Sequence, residues 1–343
     1  MQGGVQQEDD VLSARTDGKS ISLYLAKKGI FYCACMAVCI EAEWNVRTGT
    51  MVHVAMCPGQ TQTQGMVVVI RSMLEACDAT DTTFHFHLIT TNESVLILQE
   101  SLYCLAETHP LNYSVYAIDR SLWPAQMSTR VRHKILRGYG LQHPLNFARF
   151  FMDKILHWRE MHFEKVFYID TDCVIRSCIA PLYRSSLNNS SAIIAAATRS
   201  TKISNYARID IRHPKIVQWN KLHRHKIDST LVAFNAGVLL VDLRKWQEWN
   251  VLADVLYWIE ANQKSYVYSF GSNPPLVLAL AGRVEYLDSS WNTDSLGQKS
   301  QIGEAQLKAA KVLHWTGPKK PWKSNAFPEY KMFWQQFRKV HCE

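Results

Sequence analysis

The sequence predicts an α/β fold on a mostly parallel, mixed sheet flanked by helices. Three observations predict it. Short apolar runs alternate with amphipathic stretches from residue 50 onward. Apolar residues make up 47% of the chain, enough for a large core. Gly (15) and Pro (11) are too few for a repetitive or low-complexity body. The chain has 343 residues, with 38 Lys and Arg against 30 Asp and Glu, a formal charge of +8. That surplus favours anionic partners such as nucleotides. No basic run exceeds two residues and no zinc-finger or RNA-recognition signature occurs, so nucleic acid is not the expected partner.

Residues 1–28 are polar and lack an apolar period, which predicts a disordered tail. Lys27 and Lys28 precede an apolar segment, 29–42, that reads as a secretory signal or signal anchor. Its apolar part, residues 29–40, is short of the roughly 20 residues of a straight membrane-spanning helix. Three of nine cysteines lie inside it; the other six are even in number, and their pairing is open. Sequons at Asn92, Asn112, Asn188 and Asn189 are compatible with a lumenal location.

A single domain is expected over 50–343. Residues 51–56 form a buried strand, and a turn with Pro58 and Gly59 leads into a helix over 66–77. A second strand (83–89), a helix (92–107) and a third strand (113–118) continue the βαβ order. Ligands of such sheets bind beyond the C-terminal strand ends, which singles out the turn after Met56. It carries neither a P-loop nor a dinucleotide fingerprint. A helix is expected over 146–158.

The strand 165–175 runs into Asp170-Thr-Asp172. Side chains alternate with period two, so both carboxylates point to one side. Two hard carboxylates at a strand end suit a divalent cation, and the cation suits a diphosphate. The same residues also fit the nucleophile loop of haloacid-dehalogenase phosphatases. That loop normally follows the first strand, and here three strand-helix units precede it. Residues 232–243 form another buried strand, in which Gly237 permits close approach. One amphipathic helix is expected over 245–262, with Trp246, Trp249 and Trp258 in the core. After a short strand, His314, Gly317 and Lys320 offer a metal ligand, a backbone approach point and a phosphate clamp.

Three segments together resemble glycosyltransferase family 8. They are Tyr168-Ile-Asp-Thr-Asp172, Phe234-Asn-Ala-Gly-Val238 and His314-Trp-Thr-Gly-Pro-Lys-Lys-Pro-Trp322, the last matching H-x-x-G-x-x-K-P-W at every fixed position. Flanking segments 144–149, 271–282 and 290–297 are similar to the plant galacturonosyltransferase-like branch. Glycosyltransferase 8 domain-containing proteins are similar in the same places. The resemblance implies a GT-A-type fold and a retaining glycosyltransferase that uses a UDP-sugar donor and Mn²⁺. It also implies a glycan acceptor and a Golgi type II membrane protein. Carried over by residue, Asp170, Asp172 and His314 would bind Mn²⁺, and Lys320 with the Gly317 backbone would hold the diphosphate. Ala55, Met56 and Cys57 would lie along the uridine, and Arg149 would reach the donor sugar or phosphates. Asn235, Ala236 and Gly237 would line the sugar pocket. Many family members carry Asp-Gln-Asp where this chain has Gly271-Ser-Asn-Pro-Pro-Leu276, so the usual candidate nucleophile is missing. Asn273 lies in that segment, and with Asn235 and Arg149 it completes the expected catalytic set. The implied mechanism is front-face substitution, with the leaving phosphate taking the acceptor's proton. An inactive nucleotide-sugar-binding homologue is the alternative that this departure raises.

Overall fold

The structure is a computed structural model that describes residues 13–16, 19–24, 36–40, 49–118 and 143–338, apart from 189 and 270. The strands are β1 (Ser13–Thr16), β2 (Lys19–Tyr24), β3 (Met36–Ile40), β4 (Thr50–Met56), β5 (Thr82–Thr91) and β6 (Asn112–Ile118). They continue with β7 (Lys165–Ile169), β8 (Cys173–Ile175), β9 (Ile194–Lys202), β10 (Val232–Asp242), β11 (Val284–Leu287) and β12 (Val312–His314). Ten form one sheet in the order β1-β2-β3-β6-β5-β4-β7-β10-β9-β11, and β8 pairs with β12 in a separate ribbon. Strands β6, β5, β4 and β7 are mutually parallel, whereas β10 is antiparallel to both β7 and β9. Helices α1 (Thr63–Ala76) and α2 (Val95–Ala106) make the two crossovers of the parallel part. This is the mixed α/β sheet expected from the sequence, parallel through β6, β5, β4 and β7.

Central strands buried on both faces read as continuous apolar runs. Residues 52–56 of β4 and 233–242 of β10 are all buried. Neighbouring residues divide between the two faces. Ala55, Tyr168 and Leu239 pack into one core, and Val54, Phe167 and Leu240 into the other. A third, smaller core under the β8–β12 ribbon is built on Val174, Leu313, Trp315 and Trp334.

Four expectations need revision. The helix expected over 146–158 is broken into Leu145–Ala148, a 3-10 turn Arg149–Phe151 and Met152–Ile155. The break occurs where the buried Arg149 turns its side chain to the Ala236 carbonyl. The single strand 165–175 is two strands, because the chain leaves the main sheet at Asp170 and re-pairs with β12. The helix expected over 245–262 is two helices, Leu243–Glu248 and Val251–Ser265, separated at Asn250 in the left-handed region (φ 49°). Asn tolerates that conformation better than most residues. Trp246 and Trp258 are core residues, but Trp249 at this break is 44% exposed.

Strands β1 and β2 occupy part of the segment expected to be disordered, and β3 takes residues 36–40 of the apolar segment. The rest of 1–42 lies outside the described residues. Among the described residues no helix is long and apolar enough to cross a membrane.

Cys77, after α1, is disulfide-bonded to Cys178, beyond β8. The pair closes a sequence separation of 101 residues. In the chain-entropy model such a loop is worth about 4–5 kcal/mol. Replacing both cysteines by Ser is expected to lower Tm by roughly 5–10 °C. A Tm within about 1 °C of wild type in a thermal melt would show that the bond adds no stability.

Candidate active site

Strands β4 and β7 are parallel neighbours, so their C-terminal ends open on the same edge of the sheet. Asp170 follows the last residue of β7, and its N–H donates to the Gly237 carbonyl of β10 at 2.8 Å. Two residues on, Asp172 accepts the Trp315 N–H at its backbone oxygen (2.9 Å), where β8 meets β12. That register sets His314 opposite Cys173. As a result, Asp170 Oδ2 and Asp172 Oδ1 lie 3.7 and 3.3 Å from His314 Nε2. The period-two expectation for the two carboxylates holds even though the strand is interrupted between them.

The other nitrogen of His314 is also fixed. Its Nδ1 lies 2.8 Å from Asn292 Oδ1. A carbonyl oxygen can only accept, so Nδ1 carries the hydrogen and Nε2 is presented to the carboxylates. An imidazole held this way offers Nε2 to a cation. Asn292 owes its place to backbone pairing. The Thr293 N–H donates to the Val312 carbonyl and the His314 N–H to the Thr293 carbonyl, each at 2.9 Å. Residues 292 and 294 therefore flank Thr293 on the opposite side, toward the site.

Cationic side chains partner both acids. Lys320 Nζ binds Asp172 Oδ2 and donates to the Trp315 carbonyl at 3.0 Å. Burial would raise the Asp172 carboxyl, but Lys320 and then His314 outweigh it and hold the group below the usual carboxylate range. Arg149 is 4% exposed. It donates to the Ala236 carbonyl (2.8 Å), lies 3.5 Å from Asp170 and sits over the Tyr168 ring at 4.5 Å. Tyr168 in turn donates its hydroxyl to Asp170 Oδ1 at 2.7 Å.

Gly237 is where glycine is required. A Cβ there would stand 2.1 Å from His314 Cε1 and 2.8 Å from Asp170 Oδ2. Asn235, two residues earlier, accepts the Gly237 N–H at 3.0 Å and donates to Asp294 Oδ2 at 2.6 Å. Asp294 also pairs with Arg199 at 3.0 Å. Asn235, Asp294 and Arg199 border a cavity of about 370 Å³ that Thr198, Thr201 and Asn292 also line.

The donor set suits a divalent cation: Asp170 Oδ2 and Asp172 Oδ1 each lie within 4 Å of His314 Nε2, at 3.7 and 3.3 Å, with no Cβ at Gly237 to block them. The Cys173 thiol is also near Asp172 and His314. Burial, then Asp172 and Asp170, push its pKa well up, which makes it the poorest ligand of the group.

The remaining expected residues fall as follows. Ala55 and Met56 end β4 and Cys57 follows it; all three are buried, with burial pushing the Cys57 thiol up to about 12. Gly317 has φ +107°, and a side chain there would strike Gln298 and Gly297. Asn273 begins the helix Asn273–Ala279, and its side chain bonds Tyr206 rather than the acid pair. Asn292, Asp294, Arg199 and Tyr168 were not singled out from the sequence. The signal for the first two was Asn292-Thr-Asp294, the same alternation as Asp170-Thr-Asp172.

The model of glycosyl transferase family 8 matches residues 35–326. The chain belongs to that family. It is a glycosyltransferase of the GT-A fold. Among plant relatives it is 28% identical to "Probable galacturonosyltransferase-like 9" of Arabidopsis thaliana over 281 residues, covering 80% of this chain and 67% of the relative. "Probable galacturonosyltransferase-like 2" of the same plant is 26% identical, covering 79% and 76%. The galactosyltransferase LgtC, solved with donor and acceptor sugar analogues, superposes with a TM-score of 0.56 at 18% identity, over 84% of this chain and 95% of that one. The bifunctional glycosyltransferase WbbM gives 0.55 at 16% identity, over 89% and 54%. These likenesses establish the fold. The phosphatase alternative has no place in it.

Asn292 is expected to set metal affinity through His314. Partners that orient a ligating imidazole are worth about 10–100-fold in metal affinity or activity. Asn292→Leu should weaken Mn²⁺ binding to that extent in a calorimetric titration, while Asn292→Asp, which still accepts from Nδ1, should lose far less. Equal loss in both variants would remove the orienting role.

Proposed function

We propose that this glycosyltransferase uses a UDP-sugar donor and Mn²⁺, and transfers the sugar to a glycan acceptor with retention of anomeric configuration. The observation that carries this reading is the convergence of Asp170 Oδ2 and Asp172 Oδ1 on His314 Nε2 at the C-terminal edge of the sheet. Asp170, Asp172 and His314 would hold the ion, which neutralises diphosphate charge when bound. Arg149 and Tyr168 act on Asp170, fixing its carboxylate by an ion pair and a hydroxyl hydrogen bond. Lys320, beside Asp172 and next to the Gly317 turn, supplies an ammonium to phosphate oxygens. Ala55, Met56 and Cys57 border the uridine, and Asn235 to Gly237 shape the sugar side. Asn273 serves indirectly, by holding Tyr206. The acceptor hydroxyl attacks the anomeric carbon on the face that the diphosphate leaves, and a phosphate oxygen takes its proton. The Cys77–Cys178 bond favours the oxidising lumen of the secretory pathway as the compartment.

The test is UDP release by the purified protein across UDP-sugars, with Mn²⁺ and with EDTA. The reading requires release from one donor, abolished by EDTA, by Asp172→Ala and by His314→Ala. Undetectable UDP binding together with no release from any donor would overturn it.

A further inference from the structure

We propose that Asp294 is the carboxylate that contacts the donor sugar, accepting one of its hydroxyl hydrogens and facing the positive charge that develops at the anomeric carbon. This rests on the UDP-sugar reading above and adds a residue to it. The segment Gly271-Ser-Asn-Pro-Pro-Leu276 offers no acid to the site. Asp294 supplies one from a different element. It is the acidic residue among those bordering the 370 Å³ cavity, whose other walls are mostly Thr, Ser and Asn. Such a lining offers hydrogen-bond donors and acceptors to a polyhydroxylated ligand.

The carboxylate is held from several directions. Asn235 Nδ2 and Arg199 donate to Oδ2 at 2.6 and 3.0 Å, and Ser295 Oγ donates to Oδ1 at 2.8 Å. An ionised carboxylate has about four acceptor positions, so these three donors leave one on Oδ1. Its side chain keeps 21% of its exposure, on the cavity side where a ligand has access. Arg199 is braced in turn: its guanidinium lies 5.6 Å from the Tyr206 ring, and Tyr206 bonds Asn273. The Pro-Pro segment thus supports the acid through Asn273, Tyr206 and Arg199. Asn235 ties Asp294 to the metal side, because its Oδ1 fixes Gly237 against His314 and Asp170. A charge fixed in advance beside the reacting carbon is the arrangement that stabilises a developing opposite charge at least reorganisation. No covalent bond to Asp294 is part of the proposal.

A purely structural ion pair between β9 and the 292–296 segment is the rival, and the two differ in what Asp294→Asn does. The variant keeps the shape and part of the hydrogen bonding but removes the charge. Binding of UDP with Mn²⁺ is measured by calorimetry, and UDP release is measured with UDP-glucose, UDP-galactose, UDP-xylose and UDP-galacturonate. Asp294→Asn is expected to keep the UDP Kd within about twofold and to lower kcat/KM on the preferred donor by about 100-fold. Where wild type turns none of the four over, the readout is the affinity of each UDP-sugar relative to UDP, which the variant should lower. Activity and relative affinity within about threefold of wild type in both Asp294→Asn and Asp294→Ala would overturn the proposal. So would equal losses of UDP and UDP-sugar binding in both variants. Wild-type protein that binds no UDP would instead overturn the donor reading.

Discussion

Gly237→Ala is expected to abolish Mn²⁺-dependent UDP release while leaving the fold in place. The added methyl would meet His314 Cε1 at 2.1 Å and Asp170 Oδ2 at 2.8 Å, both shorter than any real Cβ contact. Neither neighbour can yield cheaply. His314 is 2% exposed and fixed at Nδ1 by Asn292, and Asp170 is held by Tyr168 and Arg149. Gly237 itself is fixed on β10, with its carbonyl bonded to Asp170 N–H and its N–H bonded to Asn235. The methyl must therefore separate the imidazole from the carboxylates. Overpacking of this kind costs about 1–3 kcal/mol of stability. A displacement near 1 Å at a reacting centre costs about 100-fold in rate or more. The variant should melt within several degrees of wild type but bind Mn²⁺ and UDP poorly in calorimetry. Ala236→Gly, which adds no atom, is the companion variant for stability. Wild-type Mn²⁺ affinity in Gly237→Ala would show that the three groups do not act as one site.

Much of this site was legible because it is built from local patterns. An apolar strand ending in Asp-x-Asp projects both carboxylates together whatever the rest of the fold does. The short spacing from His314 to Lys320 puts a ligand and an ammonium close together in the chain. What the sequence did not show are the contacts between segments far apart in the chain. Asn292 reaches His314 only because residues 292–294 pair with β12, and Arg199 reaches Asp294 only because β9 lies beside β10. Arg149 carries a charge that suits a phosphate, yet burial and the Ala236 carbonyl turn it to Asp170. Strand and helix breaks were missed where one residue overrides a periodic pattern, as Asn250 does. Apolar periodicity reports which face is buried and is blind to a single left-handed residue.

Stability should fall steeply with acidification below pH 6.5, and three histidines on neighbouring parallel strands, His53 and His87 buried and His85 half-buried, are the reason. His53 on β4 pairs in register with His85 on β5, and His87 follows on the same face. His53 Nδ1 lies 3.0 Å from His87 Nε2, His87 Nδ1 lies 3.0 Å from the Tyr116 hydroxyl, and that hydroxyl donates to the Leu156 carbonyl at 3.3 Å. With the Tyr116 hydrogen given to Leu156, His87 Nδ1 donates to Tyr116. His87 Nε2 then accepts from His53 Nδ1, so each ring is neutral with one hydrogen. The surroundings are Phe163 stacked on His53 at 3.9 Å, Ser114 bonded to His85, and the His157 ring 6.1 Å from Tyr116. None of these compensates a positive charge. Burial and then His85 push His53 down to about 3, burial pushes His85 down to about 4, and burial pushes His87 well below its usual value. The unfolded chain takes up these protons near pH 6.5 and the folded one does not. Stability is therefore complete above pH 6.5 and is lost as the pH falls from there toward 4. Each histidine contributes a slope of about 1.4 kcal/mol per pH unit. Over one unit these three would amount to about 4 kcal/mol; His109 and His225, lowered chiefly by burial, add in the same direction, and Asp153 and Asp254, raised chiefly by burial, oppose it. Urea midpoints at pH 7.5, 6.5, 5.5 and 5.0 measure the slope. His87→Gln, which keeps an amide for both bonds but cannot titrate, should flatten it by about one third. A midpoint that is constant between pH 6.5 and 5.0, or a slope that His87→Gln leaves unchanged, would mean that this cluster does not govern acid stability.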